Sequence, residues 1–313
     1  MFSKAAFAFS AMTLCVSCAS SRSDRSLLLT TDAGCEVDDQ WAISYALASP
    51  ELETLGVVTT HAPNLESPAA ETSAKVVREL LEILDLPEPP PVYAGASEAL
   101  VAANRPREND GVRFIVEASR RFGAENRLVI VTLGATTDVA SALLLDPSMA
   151  ERVEVLTMGF SDWPAGGDPW NIKNDSLAYQ VILASGVPIT IGSVSVCQKH
   201  LTLDRAEVRE QTEGLRGVGE ALRTSSLDWI DKHRDACLEY TGREAWVIWD
   251  LVTIAHLRGF TRADRRPRPR LGPELEFVLP RDSSGKGPEI AWISEVDTER
   301  MWRDFRQKFI LED

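Results

Sequence analysis

Apolar residues along this chain follow two alternating rhythms. Continuous runs occur at Leu27-Leu28-Leu29, Leu55 to Thr60, Leu128 to Leu133, Val153 to Met158 and Pro188 to Ile191. Between them lie longer stretches with apolar residues at helical spacing, at Ala69 to Leu84, Gly111 to Phe122, Asp138 to Leu145 and Ser176 to Ala184. A run without polar alternation suits a strand buried on both faces, and a spacing of three to four suits a helix with one apolar face. Their alternation predicts an α/β fold, an open and mostly parallel sheet with helices on both faces and a Rossmann-like core. Val92 to Ala96, after the proline stretch Pro87 to Pro91, adds a strand. Past Thr202 the pattern turns helical, roughly Arg205 to His233 and Trp246 to Leu257. Short strands follow at Leu275 to Leu279 and Glu289 to Ile293, then a final helix. With no repeat and no linker, residues 27–313 read as a single domain.

Residues 1–19 stand outside this rhythm. Lys4 supplies positive charge, Ala5 to Val16 is apolar and small residues follow, the pattern of an export leader too short to span a bilayer. Val16-Ser17-Cys18 resembles the end of a bacterial lipobox, which would attach a lipid at Cys18, while Ser17-Cys18-Ala19 equally serves ordinary cleavage. Residues 20–26 read as a polar tether. The expected location is the periplasm of a bacterium, free or held at the membrane as a lipoprotein.

Charge narrows the partners. A formal net charge of -14 over 313 residues argues against binding a nucleic-acid backbone, which needs clustered Lys and Arg. The one basic cluster, Arg262, Arg265, Arg266, Arg268 and Arg270, is broken by Pro267 and Pro269 and reads as a solvated loop. Outside the leader, Cys35, Cys197 and Cys237 are odd in number and unpaired in spacing, so they read as free thiols. No His is placed by motif beside Cys35, which reads as a packing residue.

The first strand runs directly into an acidic loop: Asp32-Ala33-Gly34-Cys35-Glu36-Val37-Asp38-Asp39. Gly34 allows a sharp turn, and the acids at Asp38 and Asp39 suit the positive end of the helix that follows. Carboxylates so crowded repel one another unless a cation lies among them. Hard divalent ions such as Ca²⁺ take about six to eight oxygen ligands, so this loop predicts a Ca²⁺ site. In a parallel sheet it falls at the carboxyl end of a strand, where ligands bind.

These residues resemble the N-terminal signature of the nucleoside hydrolases, D-x-D-P-G-x-D-D. Here Thr30 replaces the first Asp, Ala33 replaces Pro, and two residues are inserted before Asp38-Asp39. Further segments, as far as about Leu257, carry the resemblance. Leu133-Gly134-Ala135-Thr136-Thr137-Asp138-Val139-Ala140 is similar to G-P-L-T-N-x-A, with Asp138 in place of Asn. Met158-Gly159-Phe160 is similar to M-G-G, and Trp170-Asn171-Ile172-Lys173-Asn174-Asp175 to E-F-N-I-x-x-D. Asn64 matches the G-N after the second strand, and Trp249-Asp250-Leu251-Val252 matches H-D-P-L-A.

The resemblance implies a calcium-dependent hydrolase of the N-glycosidic bond of ribonucleosides. It implies Asp32, Asp39, Asp250 and the main-chain carbonyl of Thr137 as metal ligands, with Asp32 also the general base that deprotonates the attacking water. Asp38, Asn64, Met158 and Asn171 would meet the sugar. The family's sugar-binding Glu falls on Pro169, so its contact is lost or passes to Asp168. Trp249 matches the purine-preferring branch, in which an aromatic residue stacks on the leaving base. The partners implied are a small nucleoside or ribosyl substrate and further copies of the chain. Two other activities fit the same residues: an N-glycosidase for a different ribosyl compound, and a surface lipoprotein that binds nucleoside or sugar without cleaving it.

Overall fold

A computed structural model describes residues 25–167, 170–280 and 287–310. The leader, Cys18, Asp168 and Pro169 lie outside the described residues. The chain begins with β1 (Arg25–Thr31), α1 (Asp38–Ala48), β2 (Leu52–Thr59), α2 (Ala69–Leu84), β3 (Val92–Ala94) and α3 (Asp110–Ser119). It continues through β4 (Leu128–Thr132), α4 (Thr137–Leu145), β5 (Val153–Met158), the short α5 (Asn171–Asn174), α6 (Ser176–Ala184) and β6 (Ile189–Gly192). Then come α7 (Val194–His200), β7 (Thr202–Asp204), α8 (Arg205–Thr212), α9 (Val218–Lys232), α10 (Arg234–Thr241), β8 (Ala245–Val247) and α11 (Leu251–Leu257). The last elements are β9 (Thr261–Pro267), β10 (Arg270–Leu271), β11 (Phe277–Val278), β12 (Glu289–Val296) and α12 (Thr298–Phe309).

Eight strands form the main sheet in the order β3-β2-β1-β4-β5-β6-β12-β9. All neighbours are parallel except β12 and β9. Burial on both faces explains the unbroken apolar runs. Leu28 packs with Ile130 and Val155 on one side of the sheet, while Leu27 and Leu29 pack with Val129 and Val131 on the other. At the far side of the second core Trp41 of α1 meets Phe305 of α12 with ring centroids 5.4 Å apart. Strand order reverses between β1 and β4, and the crevice beyond the carboxyl ends of two such strands is where open α/β sheets bind ligands. The acidic loop leaves β1 at this crevice.

Three expectations are corrected. The helical stretch from Arg205 to His233 is two helices, because Gly214 adopts φ +74° after α8. Trp246 is not helical: Leu203 pairs with Trp246 in an antiparallel ribbon, and the helix starts only at Leu251. The basic cluster is not a free loop either, since Arg262, Arg265 and Arg266 belong to β9, which pairs antiparallel with β12 at the edge of the sheet. An edge strand tolerates charge along its solvent side and a proline at its end, which disguises it as a loop in sequence.

Candidate active site

The turn after β1 is closed by the Cys35 N–H donating to the Asp32 carbonyl at 3.0 Å. Gly34 takes φ +94° there, and a Cβ on it would come within 2.9 Å of Val76. Asp32, Glu36, Asp38 and Asp39 of this turn line one pocket, and Asp250, just before α11, lines it with them. Oxygens of Asp38, Asp39 and Asp250 lie within 4.8 Å of one another. Thr31 Oγ1 donates to Asp39 Oδ1. The Asp250 N–H donates to Asp38 Oδ2 at 3.3 Å. Asp32 stands beside this trio, with Oδ2 buried and bonded to no described residue.

Among the described residues no Lys, Arg or His lines the pocket. Burial first, and then the neighbouring charges of Asp39 and Asp38, push the Asp32 carboxyl well above the usual range. Asp250 is raised by burial and by Asp38, Asp39, Asp32 and Glu36. Such groups hold protons, or they hold a cation. An all-oxygen cluster of this kind, with an orphaned buried carboxylate oxygen at its edge, fits a hard divalent metal such as Ca²⁺.

The remaining walls are largely aromatic. Trp246 and Trp249 meet at 89° with centroids 6.2 Å apart, and Tyr240 lies 6.1 Å from Trp249. Leu133, Met158, Trp170, Asn171 and Val194 complete the pocket. Asn171 Nδ2 donates to the Leu133 carbonyl at 2.7 Å and to the Met158 carbonyl at 3.4 Å, which ties the ends of β4 and β5 beneath the site.

Asp32, Asp38, Asp39, Met158, Asn171, Trp249 and Asp250 are thus brought together. Asn64 and Thr137 are not. Asn64 is exposed and braces the acidic loop, its Nδ2 donating to the Cys35 carbonyl at 2.8 Å while Cys35 Sγ donates to Asn64 Oδ1 at 2.9 Å. Thr137 is buried in the first turn of α4. Its carbonyl accepts from Ser141 Oγ at 2.7 Å within the helix, and its hydroxyl donates to Asp175 at 2.7 Å. The residue of this segment that does line the pocket is Leu133, just after β4. The substitution at Asp138 has its own account: Oδ1 accepts from the Ala96 N–H and from Asn109 Nδ2, both at 2.9 Å, pinning the segment after β3.

Sequence reasoning had Glu36 in the acidic loop without a role of its own, missed Leu133, Trp170, Val194, Tyr240 and Trp246 as pocket residues, and placed Cys35 only in packing although it also lines the pocket. Leu133 was detectable as the residue that ends a strand next to the topological switch. The aromatic residues carried no such signal, because Trp and Tyr are as often core as site.

A model of the inosine-uridine preferring nucleoside hydrolase family matches residues 27–303. The chain belongs to that family. Among its relatives, an uncharacterised protein of Schizosaccharomyces pombe is 31% identical over 209 residues, 57% of this chain, and the chain spans 64% of that relative's length. The pyrimidine-specific ribonucleoside hydrolase RihA of Escherichia coli is 27% identical over 266 residues, 74% of this chain and 78% of its own. Solved structures share the fold. The purine-preferring ribonucleoside hydrolase from Gardnerella vaginalis superposes with a TM-score of 0.75 at 21% identity, over 91% of this chain and 98% of its own. A plant nucleoside hydrolase gives 0.73 at 20% identity, with the same coverage. Nucleoside hydrolases act on small-molecule nucleosides and depend on a metal, and the buried aspartates here form a donor set for one.

Proposed function

We propose that this family member hydrolyses the N-ribosidic bond of nucleosides, purine nucleosides foremost, with Ca²⁺ as its metal. One observation carries the reading: Asp32, Asp38, Asp39 and Asp250, all buried, converge at the floor of a pocket whose walls are tryptophan and tyrosine. The floor suits a cation and a polyhydroxylated sugar, and the walls suit a flat base. The aromatic wall supports a purine preference, since a bicyclic base offers more area to stack.

Cleavage builds positive charge on the sugar and negative charge on the departing base while water attacks the anomeric carbon. Asp38, Asp39 and Asp250 would hold the ion. The bound ion supplies positive charge that gathers the sugar hydroxyls and makes a nearby water easier to deprotonate. Asp32, with one oxygen unpaired, accepts the proton of the attacking water, a role worth roughly 10² to 10⁴-fold for a positioned base. Asp38 and Asn171 hold the sugar in a fixed frame, so that attack is effectively intramolecular. Trp249 stacks on the base.

The test is incubation of purified protein with a mixed panel of purine and pyrimidine ribonucleosides, with and without chelator. Ribose release that is abolished by chelator and restored by calcium is expected. Binding without release would make the protein a nucleoside-binding protein instead, and release unaffected by chelator would remove the metal.

A further inference from the structure

Two polar atoms in the pocket have no part in the chemistry above. Glu36, from the lengthened part of the acidic loop, lines the pocket with Oε2 buried and hydrogen-bonded to no described residue. Trp246, on β8 and 3% exposed, lines it too, and its indole Nε1 is likewise buried and unbonded. The two side chains are neighbours. The indole N–H lies close to the Glu36 carboxyl, yet no hydrogen bond of ordinary geometry joins them. A buried donor and a buried acceptor are thus presented together, each costing stability until something fills its hydrogen-bonding capacity.

Their position says what fills it. Glu36 is not among the aspartates whose oxygens close to within 4.8 Å, so it stands off from the tight trio. Trp246 belongs to the aromatic wall, 5.8 Å from Tyr240 and 6.2 Å from Trp249. The pair therefore lies where the cation-binding floor gives way to the wall against which a base would stack.

We propose that Glu36 and Trp246 read the polar edge of the leaving group, the carboxylate accepting from a ring N–H or amino group and the indole N–H donating to the adjacent carbonyl or ring nitrogen. This presupposes the ribosyl-hydrolase reading and sharpens it. The substrate class is a riboside whose base carries a neighbouring donor and acceptor, an amide or amidine edge. Ribosides without a donor at that edge are rejected, because a site built to hydrogen-bond is left with unpaired buried groups when the partner is missing.

The experiment compares inosine, whose base has the amide edge, with unsubstituted purine riboside, which lacks the donor, using the full chain and the variants Glu36→Leu and Trp246→Phe. Each variant is compared with wild type on the same substrate, so intrinsic leaving-group differences cancel. Both variants should lose roughly 10- to 100-fold in kcat/KM on inosine and no more than about threefold on purine riboside. Calcium content should stay at the wild-type level. Equal losses on both substrates, or a selective loss in only one variant, overturn the paired role; lost calcium makes Glu36 a metal ligand and overturns it as well. Calorimetric binding of hypoxanthine and of purine, free of turnover, is the second arm. Should wild type cleave no riboside yet bind hypoxanthine in a manner lost in both variants, the hydrolase reading falls and the edge-reading pair stands. Absence of hypoxanthine binding to wild type, or unchanged binding to the variants, overturns the pair.

Discussion

Gly134 lies so close to Asp32 that a Cβ built on it would sit 2.4 Å from the carboxylate Oδ1. The end of β4 thus forms a wall against the side chain that leaves β1, and only hydrogen at that Cα leaves room for it. Gly134→Ala should displace Asp32 with modest harm to the fold, because the clash is with a side chain at a pocket rim. A fall in turnover of tenfold or more with a cooperative thermal transition retained is the expected outcome. Activity equal to wild type would show that the position of Asp32 is not critical.

Asp32 itself separates charge from bulk. Asp32→Asn keeps the shape of the group but cannot take a proton from water, so turnover should fall by roughly 10² to 10⁴-fold, the usual contribution of a positioned base. Metal content must be measured on the same sample by elemental analysis. Wild-type rates in the calcium-loaded variant would remove Asp32 from the mechanism.

Metal and pH are linked through the same cluster. Burial raises Asp39 to about 6 and Asp38 to about 8, the latter also through the charge of Asp39. Without metal, the folded protein holds these protons more tightly than the unfolded chain, whose carboxyls titrate near 3.8. Stability is therefore lost as pH rises from the unfolded value through the folded ones. His256, which burial pushes down to about 4, acts in the opposite sense, but its contribution is complete above its unfolded value of 6.5. Between pH 6.5 and 8.5 the chelated protein should thus lose melting temperature, and calcium should restore it by an amount that grows with pH. A calcium effect that shrinks across this range would contradict the assignment.

Asp39→Ala tests one ligand within that scheme. Removing a carboxylate relieves repulsion in the chelated protein, so its melting temperature should hold or rise. The increase on adding calcium should fall steeply. If calcium stabilises the variant as much as wild type, Asp39 does not hold the ion.

Trp249 touches both Trp246 and Tyr240, so its loss could act by stacking or by packing. Stacking predicts a selective effect. Trp249→Ala should depress kcat on inosine about ten- to a hundredfold, the scale of base stacking on an aromatic side chain. It should affect p-nitrophenyl riboside, whose leaving group needs no activation, far less. Equal loss on both would mark Trp249 as a residue that positions Asp250.

The α/β architecture was legible in the sequence because strands buried on both faces must be apolar throughout, and helices over a sheet must be apolar on one side; α2, β5 and α6 begin and end where this pattern does. The acidic loop was legible too, since its carboxylates are neighbours in the chain and Asp250 lies in a motif of its own. Tertiary structure alone decided which residue of the turn after β4 reaches the pocket. Thr137 and Leu133 sit four residues apart on one strand-to-helix turn, and only the structure shows that Thr137 is buried away from the pocket while Leu133 lines it. It also decided the fate of Asn64, whose partner Cys35 is 29 residues away, and placed Glu36 and Trp246 on one pocket. Local patterning follows from which faces a segment must bury, but the neighbours of a polar atom depend on long-range packing that periodicity does not encode.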